Sequence, residues 1–229
     1  MKPLILGHGL LGSEIYKQTN WDYISRKQNN IDINDEFSYI DKLSDYDTII
    51  NCIGYTKTLD NTKEKHWLTN YLGVIKLVNV CNHMSKKLIH ISTDYIYSNS
   101  KSCASETDVP IHNDSWYTYT KLLADGYVQA AAYNYLLIRA SFKPKPFPWN
   151  TAWIDLVSNF DYTDVIASII IKLTNLESMG VYNVGTELKT PYDLAKQTRT
   201  CEPIIDDYKF IRPHDVTMNL DKLKKQLNG

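Results

Sequence analysis

Long apolar runs are missing from this chain. The most apolar stretches, such as Val165–Ile171, are short and contain polar residues, so no segment reads as a bilayer span. An excess of charge is missing too. Lys and Arg number 25 against 26 Asp and Glu, a net charge of −1, which offers no general pull toward nucleic acid or an anionic membrane. Cysteine is sparse: Cys52, Cys81, Cys103 and Cys201 form no Cys-x-x-Cys pair and read as reduced thiols. The six histidines fall at no metal-binding spacing, so no metal is expected. The N-terminal apolar run breaks at Gly7, too early for a signal peptide. No internal repeat or low-complexity tract stands out. What remains is a cytoplasmic globular protein of 229 residues, 43% of them hydrophobic, enough for one sizeable core.

The first two-thirds of the sequence alternates short β-branched runs with helical patterns. Pro3–Leu6, Asp22–Ser25, Thr48–Ile53, Lys87–Ile91 and Tyr135–Arg139 read as strands. Between them, Leu10–Tyr16, Asp35–Leu43, Asn61–Met84 and Ser115–Tyr133 read as helices, the third with Trp67, Leu68, Tyr71, Leu72, Ile75 and Val78 on one face. This alternation predicts a doubly wound α/β fold on a parallel sheet. Three prolines between Lys143 and Trp149 exclude regular structure there. Helical runs over Tyr162–Leu173 and Thr190–Thr198 and a strand at Val181–Val184 follow. The expected division is a dinucleotide-binding domain over 1–141 and a small lobe over 142–229, partly interleaved with it.

Gly7-His8-Gly9-Leu10-Leu11-Gly12 follows the first strand and opens the first helix. In such a loop the first glycine permits the tight turn. The second lets backbone approach a pyrophosphate, and the third lets helix and sheet pack closely. The second strand is followed by Arg26 and Lys27, two cations suited to a ribose 2′-phosphate. That favours NADPH. Asp32 lies near the spacing at which an acid binds a free 2′-hydroxyl, which keeps NADH as the alternative.

Tyr117 and Lys121 are spaced i, i+4 and share a helix face. A nearby ammonium would lower the phenol's pKa and suit proton exchange with a carbonyl or alcohol. Tyr119 has Leu123 at the matching position and is the poorer candidate. Thr93 follows the strand ending in His90-Ile91, at the carboxyl edge where α/β sheets bind ligands. The basic, aromatic segment Lys143–Trp153 leaves the next strand at the same edge. Lys143 and Lys145 could meet a diphosphate there, and Trp149 or Trp153 could stack on a base.

Taken together, these elements resemble the extended short-chain dehydrogenase/reductases, most closely the dTDP-4-dehydrorhamnose reductases. The resemblance rests on the glycine loop, Asp32-Ile33-Asn34-Asp35, Asn51-Cys52-Ile53-Gly54-Tyr55-Thr56 and Asn70 within Thr69–Gly73. It continues through Ile91–Tyr97, Glu106–Asp108, Tyr117-x-x-x-Lys121, Leu137–Ser141, Val181–Gly185 and Arg212-Pro213. It implies a Rossmann fold and reduction of a nucleotide-linked 4-keto-6-deoxy sugar by NADPH. In that scheme Tyr117 donates the proton, Thr93 polarises the ketone, and Lys121 binds the nicotinamide ribose. Cofactor contacts would come from Gly7 through Gly12, His8, Leu10 and Leu11 included, from Arg26, Lys27, Asp32 and Ile33, and from Asn51, Cys52 and Ile53. Tyr55, Asp94 and Tyr95 would join Thr93, Lys143, Trp149 and Trp153 around the substrate. A homodimer is compatible with the same scheme.

Related dehydratases carry an acid after Thr-Asp, and epimerase–reductases a cysteine two residues after the catalytic Ser or Thr. Both positions fall on Tyr95 here, which favours simple reduction. The stretch from Ser141 to Asp161 is short for the family, and the glycine loop lacks one residue of the usual extended pattern. Those departures keep a second class of function open, an NADP-binding regulatory subunit without catalysis.

Overall fold

The computed structural model describes residues 1–205 and 213–228. Of the segments carrying the resemblance, Arg212 lies outside the described residues. Chain order is β1 (Pro3–Leu6), α1 (Leu10–Thr19), β2 (Tyr23–Ile24), α2 (Arg26–Asn29), β3 (Thr48–Asn51), α3 (Lys63–His66) and α4 (Gly73–His83). Then come β4 (Lys87–Ser92), α5 (Trp116–Ala131), β5 (Tyr135–Ala140), β6 (Phe142–Lys143), β7 (Thr151–Trp153) and β8 (Asp161–Tyr162). The chain continues through α6 (Thr163–Asn175), β9 (Gly180–Val184), α7 (Pro191–Ala195), β10 (Glu202–Ile204) and α8 (Asp221–Asn228).

Six parallel strands form the main sheet in the order β2-β1-β3-β4-β5-β9. Its strands are apolar on both faces because both are covered. One face packs Ile5, Ile50, Ile89 and Ile138 against Leu11 and Ile15 of α1 and Ile166 and Ile170 of α6. The other packs Leu4, Ile49, Leu88 and Leu137 against Leu77 and Val78 of α4 and Ala124 and Val128 of α5. A third cluster, around Phe147, Phe160, Tyr162 and Leu194, is the core of the small lobe.

The chain does not leave the sheet at residue 141. Later in the chain α6 packs on it and β9 extends it. The outer edge of β9 is closed by side chains. Glu106 accepts from the Asn183 amide at 3.0 Å, and Lys222 donates to the Val181 carbonyl at 2.6 Å. Both block pairing with another strand.

Two local expectations change. The segment expected as a helix over Asp35–Leu43 forms two short 3-10 turns, Glu36–Ser38 and Ile40–Leu43. The long helix over Asn61–Met84 contains a π-turn at Trp67–Leu72. Its inward face begins with polar His66 and Asn70 rather than with Trp67 and Tyr71. Asn70 accepts from the Tyr55 amide at 2.7 Å and donates to the Tyr55 carbonyl at 3.0 Å. A loop that needs its backbone satisfied draws polar residues inward, and an apolar pattern cannot reveal that.

Arg139 on β5 crosses to α5 and binds Asp125 through two parallel bonds of 3.0 and 2.8 Å. Neither side chain is more than 2% exposed. Removing one partner strands a buried charge, which costs about 3–5 kcal/mol. Arg139→Leu and Asp125→Leu should each lose stability on that scale in denaturant unfolding. The double variant should lose less than the sum of the two.

Candidate active site

The glycine loop assigns each glycine a separate task. Gly7 has φ +95°, and a Cβ there would lie 2.9 Å from the Ile53 side chain. A Cβ on Gly12 would fall 2.0 Å from the Gly7 carbonyl oxygen, so α1 could not seat against the loop. In front of Gly9 nothing lies within 4 Å. Gly9 stands at the N-cap of this ten-residue helix, whose start has no side-chain cap. An uncapped helix start behind an open glycine is a fitting cradle for a pyrophosphate.

That cradle forms one wall of a cleft of about 630 Å³. Gly9, Leu10, Leu11, Cys52 and Ile53 line it on the sheet side. Thr93, Tyr95, Tyr117 and Lys121 line it at the carboxyl end of β4, and Lys143, Trp149 and Trp153 across from them. The fold therefore gathers residues from the first, middle and last thirds of the chain at one sheet edge.

Tyr117 enters from the first turn of α5, whose start is capped by Ser115 accepting from the Thr118 amide at 3.2 Å. Lys121 stands one turn further on, and both are at least nine-tenths buried. Thr93 directly follows β4 and accepts from the Tyr95 amide at 3.2 Å. The Thr93 hydroxyl lies close enough to the Tyr117 phenol to favour its ionised form. Tyr119 packs on Trp116 and His112 away from the cleft.

The electrostatics depart from the expectation for Tyr117. Burial pushes the phenol up to about 12, the Thr93 hydroxyl opposes this, and Asp94 adds to it. Lys121 does not offset the burial; its ammonium donates to the Ile91 carbonyl at 2.7 Å. The same burial brings Lys121 down to about 8, against the pull of Asp125 and Cys52. Tyr117 is thus held as a protonated phenol, the form a proton donor needs. Cys52 is pushed up to about 12 by burial, so it lines the cleft as a neutral thiol rather than a nucleophile.

Several expected contacts lie behind the walls. Asp94 is fully buried and accepts from Ser158 at 2.7 Å and Thr93 at 3.3 Å. It braces Thr93 against the small lobe and does not face the substrate space. Tyr55 binds the Asp60 carboxylate and packs edge-on against His66. Asn51 accepts from the Ile53 amide at 3.0 Å and pairs with His90, so it shapes the wall without lining it. Ile33 is 3% exposed and packs against Gly73. Asp32 accepts from the Asn34 amide on an exposed turn. Arg26 and Lys27 are exposed on α2, beyond the end of β2. Lys145 pairs with Asp164 at 2.7 Å outside the cleft, so of the two lysines in this segment Lys143 is the one that lines it.

Gly54, Thr56, Thr58, Asn70 and Phe142 also line the cleft but were not expected as contacts. The signal was available: each of the segments after β3 and β5 leaves the carboxyl end of a strand. All four cysteines are free. Among the described residues, no helix is long and apolar enough to cross a membrane.

A family model described as the RmlD substrate-binding domain matches residues 1–143. The chain belongs to this family. Over 131 residues it is 30% identical to a dTDP-4-dehydrorhamnose reductase of Mycolicibacterium smegmatis, a match covering 54% of this chain and 35% of that protein. The chain thus spans about a third of that curated relative's length. Solved structures of dTDP-4-dehydrorhamnose reductases share the fold across the whole chain. The one from Clostridium acetobutylicum matches with TM-score 0.83 at 20% identity, covering 100% of this chain and 93% of that one. The one from Bacillus anthracis, in complex with NADP, matches with TM-score 0.84 at 19% identity and the same coverage.

The Lys121 assignment generates a stability test. Its folded value of about 8 lies below the ordinary 10.5. Between those values the unfolded chain binds more protons, so this group adds stability as pH rises through the window. Below about 8 its buried charge is a standing cost. Lys121→Met should therefore melt at or above the parent Tm at neutral pH. Its Tm should also lose part of the parent's rise between pH 8 and 10.5. A marked drop in Tm would show that the ammonium is structural.

Proposed function

We propose that the chain is an NADPH-dependent reductase of a nucleotide-linked 4-keto-6-deoxy sugar. One observation carries this reading: Thr93, Tyr117 and Lys121 line the same cleft as the open, uncapped glycine loop. When bound, NADPH would supply the hydride. The chain's own residues do the rest. Thr93 donates toward the ketone oxygen, and Tyr117 delivers its phenolic proton to the oxygen as it becomes an alcohol. Lys121 hydrogen-bonds the nicotinamide ribose and favours the phenolate that proton transfer leaves. Family membership and the NADP complex of the Bacillus anthracis neighbour support the cofactor assignment. Arg26 and Lys27 at the end of β2 favour NADPH over NADH.

The substrate's nucleotide end would occupy the side lined by Lys143, Trp149 and Trp153. Tyr95, next to Thr93 and Asp94, supplies neither the acid of a dehydratase nor the cysteine of an epimerase. Reduction without dehydration or epimerisation follows. The reading extends to a cytoplasmic enzyme that works as a homodimer without contacting nucleic acid. Free thiols and the near-zero net charge support the compartment and the lack of nucleic-acid contact.

The test is NADPH oxidation against a panel of nucleotide 4-keto-6-deoxy sugars. Tyr117→Phe should lower turnover by about 10²-fold or more, with NADPH affinity kept and Tyr119→Phe far milder. NADPH binding without turnover of any panel member would favour the regulatory-subunit reading. Lys143→Glu should raise the substrate KM, whereas Lys145→Glu should leave it near the parent value because Lys145 is engaged by Asp164. Equal effects of the two reversals would remove Lys143 from the substrate site.

A further inference from the structure

The glycine loop carries an exposed histidine, His8, between Gly7 and Gly9. Its ring is not free. It stacks on Tyr23 of β2 with centroids 3.9 Å apart and planes 17° from parallel. Tyr16 of α1 meets it edge-on at 5.7 Å and meets Tyr23 at 5.0 Å. The three rings hold the imidazole between α1 and β2, two residues beyond the end of β1. In a fold of this kind the pyrophosphate sits at the glycine loop and the adenosine ribose at the end of the second strand. His8 therefore stands between the two positions, on the side where Arg26 and Lys27 follow β2.

The groups near it in the chain are uncharged, engaged elsewhere or cationic. The rings packed on it are uncharged phenols. On α1, Glu14 is engaged by Lys17 at 3.6 Å and Gln18 at 3.0 Å. Before β2, Asp22 accepts from the Tyr46 hydroxyl at 2.9 Å. Arg26 and Lys27 on α2 are cations. Among the described residues, no ion pair engages His8. A histidine is the ordinary side chain that changes charge between about pH 5 and 8, and a phosphate monoester is a dianion above about pH 6.

We propose that His8 is a proton-gated ligand of the cofactor's 2′-phosphate, so that discrimination between NADPH and NADH sharpens as pH falls. This rests on the cofactor reading above. Protonated, His8 adds a third cation beside Arg26 and Lys27 for a group that NADH lacks. Neutral, it offers that phosphate only a hydrogen bond.

Calorimetric titration of the full chain tests this without any sugar substrate. NADPH and NADH are titrated at about pH 7.5, where the free 2′-phosphate is already dianionic, in two buffers of different ionisation enthalpy. NADPH binding should take up a fraction of a proton, and NADH binding none. NADPH should bind about three- to fivefold more tightly near pH 6.5 than near pH 8.5, the scale of an exposed ion pair. His8→Gln should melt like the parent, still bind NADPH, and lose both the proton uptake and the pH dependence. Equal uptake with the two cofactors would place His8 at the pyrophosphate and overturn the proposal. Uptake that persists in His8→Gln, or pH-independent NADPH affinity in the parent, would overturn it as well. Failure of the parent to bind either cofactor would instead overturn the cofactor reading on which it rests.

Discussion

Arg139 and Asp125 meet between the sheet and α5 with almost no access to water, and the geometry of the proposed active site hangs on that contact. Tyr117, Lys121 and Asp125 recur every fourth residue and share the inward face of α5. Pinning Asp125 therefore sets both the rotation and the height of the helix. Ser92 donates to the same carboxylate at 3.1 Å, so the end of β4 is fixed to the same point. Thr93 is the next residue. One carboxylate thus registers the two segments that bring the hydroxyl, the phenol and the ammonium together. The pair is stabilising mainly in the sense that its loss strands a charge; its structural value is registration.

Burial shapes the chemistry as much as position does. The phenol of Tyr117 is raised and the ammonium of Lys121 lowered by the same dry surroundings. A phenol kept protonated is the form that the proposed proton delivery to a nascent alkoxide requires. The small lobe contributes through Asp94. Its carboxylate joins Ser158, late in the chain, to Thr93, so the seating of that segment and the orientation of the hydroxyl proposed to polarise the ketone are linked.

Much of this was legible before any coordinates. Strand alternation gave the parallel sheet because strands covered on both faces must be apolar throughout, as β1, β3 and β4 are. The glycine pattern was readable because backbone conformation and close approach tolerate few residues, as the positions of Gly7 and Gly12 illustrate. The i, i+4 spacing placed Tyr117 with Lys121. What resisted reading were side chains whose role depends on distant partners. Asp94 and Tyr55 resemble cleft residues in sequence, yet Ser158 and Asp60 hold them behind the walls. Lys143 and Lys145 are equivalent in composition, and only the placement of Asp164 separates them. The inward face of the α3–α4 segment escapes an apolar pattern because His66 and Asn70 serve loop backbone, a demand that carries no apolar periodicity.

The central claim is that this cleft delivers a hydride to C4 of a nucleotide-linked keto sugar while Tyr117 supplies the proton. The most direct measurement uses NADPH deuterated at the transferring position of nicotinamide C4 and a nucleotide 4-keto-6-deoxy sugar, with the product analysed by mass spectrometry and proton NMR. The account predicts a sugar nucleotide that carries the deuterium at C4 and nowhere else. A product without the label, or with the label at another carbon, would contradict it.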